Sequence, residues 1–226
     1  DEACTVPSPC APLAFTCEGG FAAVRVVTAS DKLPGGPDAL GTLGDILLEN
    51  DRVIGVVDAI DHPHHIAPSG GALLDLTTVE REGDSINHMF HAMALLPEDA
   101  AHYTSMRIIE EGSIKAVQFR GFLDGNERHL VSTRYEIRPC EPGIRIRTEV
   151  TNLGADPAVW TISDGYFWGD RSALPFTPIL GGGFEHPSFG LTTVTEAVRG
   201  APFLAAAGIV APASAYATVA CSSDAL

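Results

Sequence analysis

The chain has 226 residues, with 29 acidic against 14 basic side chains and a formal net charge of -15. A hydrophobic fraction of 45% with 23 glycines and 16 prolines fits a folded, turn-rich domain and excludes a disordered one. The charge opposes a phosphate backbone as partner, and no run of about 20 uninterrupted apolar residues spans a bilayer, since the longest candidate, 201–219, is broken by Pro202, Gly208 and Pro212.

Residues 1–20 read as a disulfide-tethered leader in which Pro7, Pro9 and Pro12 refuse regular ladders, and the domain proper is expected over 21–226. Residues 21–28 predict a strand, and Pro34-Gly35-Gly36-Pro37 marks the following segment, 30–42, as a loop. Two apolar runs, 45–49 and 52–58, flank Asn50-Asp51 and predict a hairpin. A histidine-bearing loop over 61–71 precedes a strand over 72–79, and the setting among strands favours a strand again over 85–96. A single helical turn starting at Pro97 would fit before the pattern becomes plainer.

Strands are predicted over 103–110, 113–120, 130–138 and 144–152. In the last, Ile144, Ile146, Thr148 and Val150 share one side while Arg145, Arg147, Glu149 and Thr151 share the other. A strand over 158–163 gives way to a Gly- and aromatic-rich loop over 164–189, and strand character returns near 190–196, 203–210 and 214–220. About a dozen strands with one wet face each must hide their apolar faces against one another. The fold class is therefore all-β, an antiparallel β-sandwich with long loops.

Five cysteines suit an oxidising compartment, and three of them, Cys4, Cys10 and Cys17, fall in a segment with little core of its own. Pairing of Cys4 with Cys10 or Cys17, and of Cys140 with Cys221, is expected. The spacing lacks the tight CxxC knuckles of a structural zinc site. A secreted, periplasmic or cell-surface location follows from this reading, and a chain ending just after an apolar alternating run reads as a piece of a longer protein.

The segments Tyr135-Glu136-Ile137, 143–152 and Ser163-Asp164-Gly165-Tyr166-Phe167 resemble consecutive strands and the following loop of the galactose mutarotase-like supersandwiches, over about a fifth of the chain. That resemblance implies a curved sheet offering a sugar-binding face. The chain departs from the family's epimerases where a histidine precedes Pro-Tyr-Phe, reading Asp164-Gly165-Tyr166-Phe167 instead, so no catalytic residue carries over. The hairpin over 44–52 with residues 68–75 also resembles the opening of sandwich modules in large exported bacterial proteins, which implies a module rather than a free-standing enzyme.

Three constellations carry chemistry. His62, His64, His88 and His91 offer imidazole ligands of the kind that bind zinc, although on a strand positions 88 and 91 fall on opposite faces. Tyr166, Trp168, Asp170 and Arg171 combine rings that stack on sugars with oriented hydrogen-bonding groups. Asp58, Asp61, Asp75, Glu80, Glu82 and Asp84 supply hard oxygens suited to calcium, without EF-hand spacing. No nucleophile elbow or phosphate loop is present. These features point to an extracytoplasmic binding or structural module with a glycan or an adjoining protein domain as partner. The alternatives are a carbohydrate-active epimerase, lyase or metal-assisted hydrolase using the histidines, or a domain that docks only within its own chain.

Overall fold

Strands form where β-branched and aromatic residues alternate with polar ones, and the sequence carries that alternation through most of its middle. The computed structural model describes residues 14–36, 38–64, 67–80, 83–84, 86–92, 100–123, 125–155, 163–168, 203–207 and 215–219. Its strands are β1 (Ala22–Val26), β2 (Ile46–Asn50), β3 (Val53–Val57), β4 (Leu73–Thr78), β5 (Ile86–Ala92), β6 (His102–Glu111), β7 (Ile114–Leu123), β8 (Asn126–Ile137), β9 (Arg145–Asn152), β10 (Ser163–Trp168), β11 (Phe203–Ala207) and β12 (Ala215–Val219). Among the described residues no helix is long and apolar enough to cross a membrane.

One sheet has the order β1-β2-β3-β4-β5-β10, a second is the meander β6-β7-β8-β9, and β11 pairs with β12 as a separate hairpin. Every named pairing is antiparallel. The two large sheets face one another across a common core. Val24, Leu48, Val57 and Leu73 of the six-stranded sheet join Tyr103, Val117, Phe119, Tyr135 and Ile137 of the meander in one cluster. Phe119 and Tyr135 are fully buried and meet edge to face at 6.1 Å. Burying one such ring contributes about 1.5–3 kcal/mol, so these two anchor the sandwich. As the alternation requires, Ile144 is buried and Ile146 and Val150 pack on the same cluster, while Arg147 and Glu149 stay exposed.

The six-stranded sheet is also covered outside. Leu47 and Val56, on the opposite face from the main core, are fully buried in a second cluster with Val27, against which Leu33 packs. The Pro/Gly-rich segment after β1 thus serves as a lid over that face. This explains why the run Ile46-Leu47-Leu48 is apolar on both sides rather than alternating.

Two expectations need correction. Cys17 bonds to Cys140, across a sequence separation of 123, which overturns the pairing of Cys140 with Cys221 and of Cys4 with Cys17. The reason is tertiary: β1 pairs with β2 in register Ala22↔Asn50, so the segment before β1 lies beside the β2–β3 turn where that turn meets the β8–β9 turn, and residues 17 and 140 come within 5.5 Å at Cα. Asn50 makes that junction, because its side-chain amide donates to the Arg138 and Glu141 carbonyls at 2.6 and 2.8 Å while its Oδ1 accepts the Arg52 and Val53 N–H groups. Asp51 adds a bond from the Cys140 N–H at 2.8 Å, holding Cys140 at a φ of 68° that non-glycine residues rarely adopt. The other correction concerns 164–189, whose opening residues are not loop: β10 pairs with β5 in register Ser163↔Ala92 to Phe167↔His88, with an irregularity before Trp168. The remaining cysteines, Cys4, Cys10 and Cys221, lie outside the described residues, as do the helical turn expected from Pro97 and the strand expected near 190–196.

Candidate functional site

The densest polar constellation lies where β2, β3 and β4 meet the loops that precede and follow them. Asp45 stands one residue before β2 and Asp58 one residue after β3, while Asp75 lies within β4 opposite Val56, and all three are fully buried. A buried carboxylate costs several kcal/mol unless hydrogen bonds replace its water. Here loop backbone supplies them.

Asp45 Oδ2 accepts the Thr42 N–H at 2.8 Å, and its Oδ1 accepts the Ala59 N–H at 2.9 Å. Asp58 Oδ1 accepts the N–H groups of both Gly71 and Ala72 at 2.6 Å. Asp75 takes the Leu40 and Gly41 N–H groups, one on each oxygen, at 2.8 Å. Close approach at Gly41 demands glycine, since a Cβ there would stand 2.5 Å from Asp75 Oδ2 and 2.9 Å from Val56. Farther along β4, Asp84 Oδ1 accepts the Leu76 N–H at 2.9 Å.

Two of the predicted metal ligands close this constellation from the solvent side. His62 Nδ1 lies 3.3 Å from Asp45 Oδ1, and His64 Nδ1 lies 3.2 Å from Asp58 Oδ2. Each imidazole is thus attached to a different aspartate. With its proton on Nδ1, His64 donates to Asp58 and leaves Nε2 to accept, the orientation used to hold a general base. Burial pushes Asp58 up to about 6 against the pull of the Ala72 N–H, His64 and the Gly71 N–H. Burial raises Asp75 as well, opposed by the Leu40 and Gly41 N–H groups, with the Asp45 charge adding to the rise.

The other predicted ligands lie elsewhere. His88 and His91 are on β5, opposite Phe167 and Asp164 of β10 in strand register. Among the described residues the one triad of clustered ligand types is Cys17, Asp51 and Cys140, and its two sulfurs are joined to each other. Of the carboxylates read as calcium ligands, Asp75 gives both oxygens to backbone N–H groups, Asp58 gives one to backbone and one to His64, Asp84 accepts the Leu76 N–H through Oδ1, Asp61 and Glu80 are exposed, and Glu82 falls outside the described residues.

Of the aromatic constellation, Tyr166 and Trp168 lie on β10, the outermost strand of its sheet, while Asp170 and Arg171 lie outside the described residues. A small cleft lined by Ala67, Ser69, Gly70, Ala100, Ala101 and Tyr103 holds no carboxylate or imidazole. Its serine is engaged, accepting the Tyr103 N–H at 2.8 Å and donating to the Gly70 carbonyl at 3.0 Å. Sequence reasoning missed Asp45, Asn50 and Asp51. Their signal was available: an Asp or Asn at a strand end beside a tight turn is the residue type that captures nearby backbone N–H groups.

Comparisons of this chain with protein-family models, with curated proteins and with solved structures find no match.

Proposed function

We propose that the chain is an extracytoplasmic β-sandwich module that acts by binding or structural support, with carbohydrate as its ligand class. The supporting observation is how the buried carboxylates are used. Each of Asp45, Asp58 and Asp75 accepts two loop N–H groups, with His62 and His64 adding a further contact to Asp45 and Asp58, and carboxylates so engaged fasten loops to a scaffold. A rigid scaffold with fastened loops is the usual platform for recognition. The Cys17–Cys140 bond supports an oxidising compartment, and kinship with the mutarotase-like supersandwiches and with exported bacterial modules belongs to the same proposal.

Tyr166 and Trp168 on the outermost strand β10 are the positions assigned to sugar stacking. Glycan-array binding of the wild type and of Trp168→Ala tests this. Loss of signal with an unchanged unfolding midpoint is expected, and unchanged binding in the variant refutes the stacking role. The enzyme reading rests on His64, held by buried Asp58 at 3.2 Å. It requires His64→Ala to abolish turnover of a carbohydrate, whereas a binding module keeps its glycan affinity in that variant.

A further inference from the structure

The chain's charge is divided unevenly between its sheets. Residues 102–152, which form the meander, hold eight basic and seven acidic side chains, a balance of +1 in a chain whose total is -15. The rest therefore carries -16, with Asp45, Asp58 and Asp75 of that share fully buried. On the meander four arginines, Arg107, Arg120, Arg134 and Arg147, are turned away from the core. Strand register places Arg107 opposite Gln118, Gln118 opposite Arg134 and Arg134 opposite Arg147, forming one row across all four strands. The next row runs Ser105, Arg120, Ser132 and Glu149. Both rows lie on the face away from the core, since Val117, Phe119, Thr133 and Tyr135 occupy the alternate, buried positions.

Not all of these arginines are neutralised. Arg134 is committed to Glu111 and Glu136, and Arg147 forms an exposed pair with Glu149, the kind that water and salt weaken. Arg107 and Arg120 are exposed and form no ion pair with a described residue. Arg107 donates through Nε to Gln118 Oε1 at 2.9 Å, and Gln118 Nε2 donates to Ser132 Oγ at 2.7 Å. That chain orders the row while leaving the terminal guanidinium nitrogens of Arg107 facing solvent. With strands about 4.8 Å apart, the row spans about 14 Å from Arg107 to Arg147.

We infer that this outer face of the meander binds a carboxylate-bearing glycan of the uronate type, with Arg107, Arg120 and Arg147 engaging its carboxylates and Gln118 and Ser132 its hydroxyls. Guanidinium groups pair with carboxylates in a planar, two-bond geometry, and neutral amide and hydroxyl groups between them suit a polyol better than a uniformly charged strand. The face calls for an anionic ligand, and four carboxylates of the six-stranded sheet and its loops, Asp45, Asp58, Asp75 and Asp84, are buried and offer nothing to a second copy. The overall -15 does not forbid it: exposed charges separated by more than about 8 Å are largely screened at physiological salt, so the local face governs contact. A duplex nucleic acid carries far denser charge, so the repulsion that survives screening weighs more heavily against it.

This inference rests on the carbohydrate reading above and narrows it to one face and one ligand chemistry. The test is affinity electrophoresis and calorimetry of the full chain with a uronate oligosaccharide, a neutral oligosaccharide, poly-glutamate and duplex DNA. The wild type and Arg107→Gln/Arg120→Gln are compared at low and physiological salt, with unfolding midpoints confirming that these exposed substitutions leave the fold intact. Uronate binding that weakens with salt and falls at least about tenfold in the double variant is expected. Full affinity in that variant, equal retention of poly-glutamate or DNA, or no uronate binding overturns the inference. Neutral-glycan binding that depends on Trp168, without uronate binding, leaves the carbohydrate reading standing and removes only this face; no binding to any glycan removes both.

Discussion

Asp58 gives the sharpest test of how the loops are fastened. Burial raises its pKa to about 6, above the roughly 3.9 of an unfolded aspartate. The folded state therefore holds a proton that the unfolded state has released between about pH 4 and pH 6. Its contribution to stability is fully present below pH 4 and is lost as pH rises through 6. Two pKa units correspond to about 3 kcal/mol. Asp58→Asn keeps an oxygen for the Gly71 and Ala72 N–H groups and removes the titration. Urea unfolding of both proteins at pH 4.5, 5.5, 6.5 and 7.5, about one unit apart, reads the difference directly. Relative to the variant, the wild type is expected to lose about 2 of those 3 kcal/mol across that range, the rest being lost below pH 4.5. A constant difference refutes burial as the controlling influence; a wild type that gains on the variant as pH rises assigns control to the His64 pairing instead. Asp58→Ala, which strips the partner from two buried N–H groups, is expected to cost about 2–5 kcal/mol throughout.

The end clamp makes two further predictions. Cys17→Ser with Cys140→Ser opens a cross-link that spans 123 positions, and a chain-entropy estimate puts the loss at about 4–5 kcal/mol; the denaturation midpoint of this double variant checks it, and an unchanged midpoint denies the bond any role in holding the sheets together. Asn50→Ala removes two acceptor and two donor contacts at a buried junction and is expected to lower stability by about 3–5 kcal/mol, measured by urea unfolding, with faster hydrogen exchange at the Arg52 and Val53 amides.

Much of the scaffold was legible in the sequence, and the candidate site much less so. Residues 103–152 declared themselves as a meander because side chains on a strand alternate between water and core, and that local rule needs no distant partner. The hairpin around Asn50-Asp51 was legible for the same reason. The covered outer face of β2 was not, since Leu47 looks like any apolar residue until the segment carrying Leu33 folds over it. The strand at Ser163–Trp168 hid behind glycine and aromatic content that reads equally well as a loop. His62 and His64 were legible as a pair of neighbours in one loop, but their destinations on two separate aspartates were not.

By itself the sequence determined that this is a two-faced, all-strand chain with an acid-rich composition and cysteines suited to an oxidising environment. Periodicity and composition are local properties, so they survive without coordinates. Only the tertiary structure decided that Cys17 joins Cys140, that Asp45, Asp58 and Asp75 are internal fasteners, and that Arg107, Arg120, Arg134 and Arg147 share one outer face. Each of these depends on which loops and strands meet. That is fixed by two sheets closing over a common core, and no local pattern encodes it.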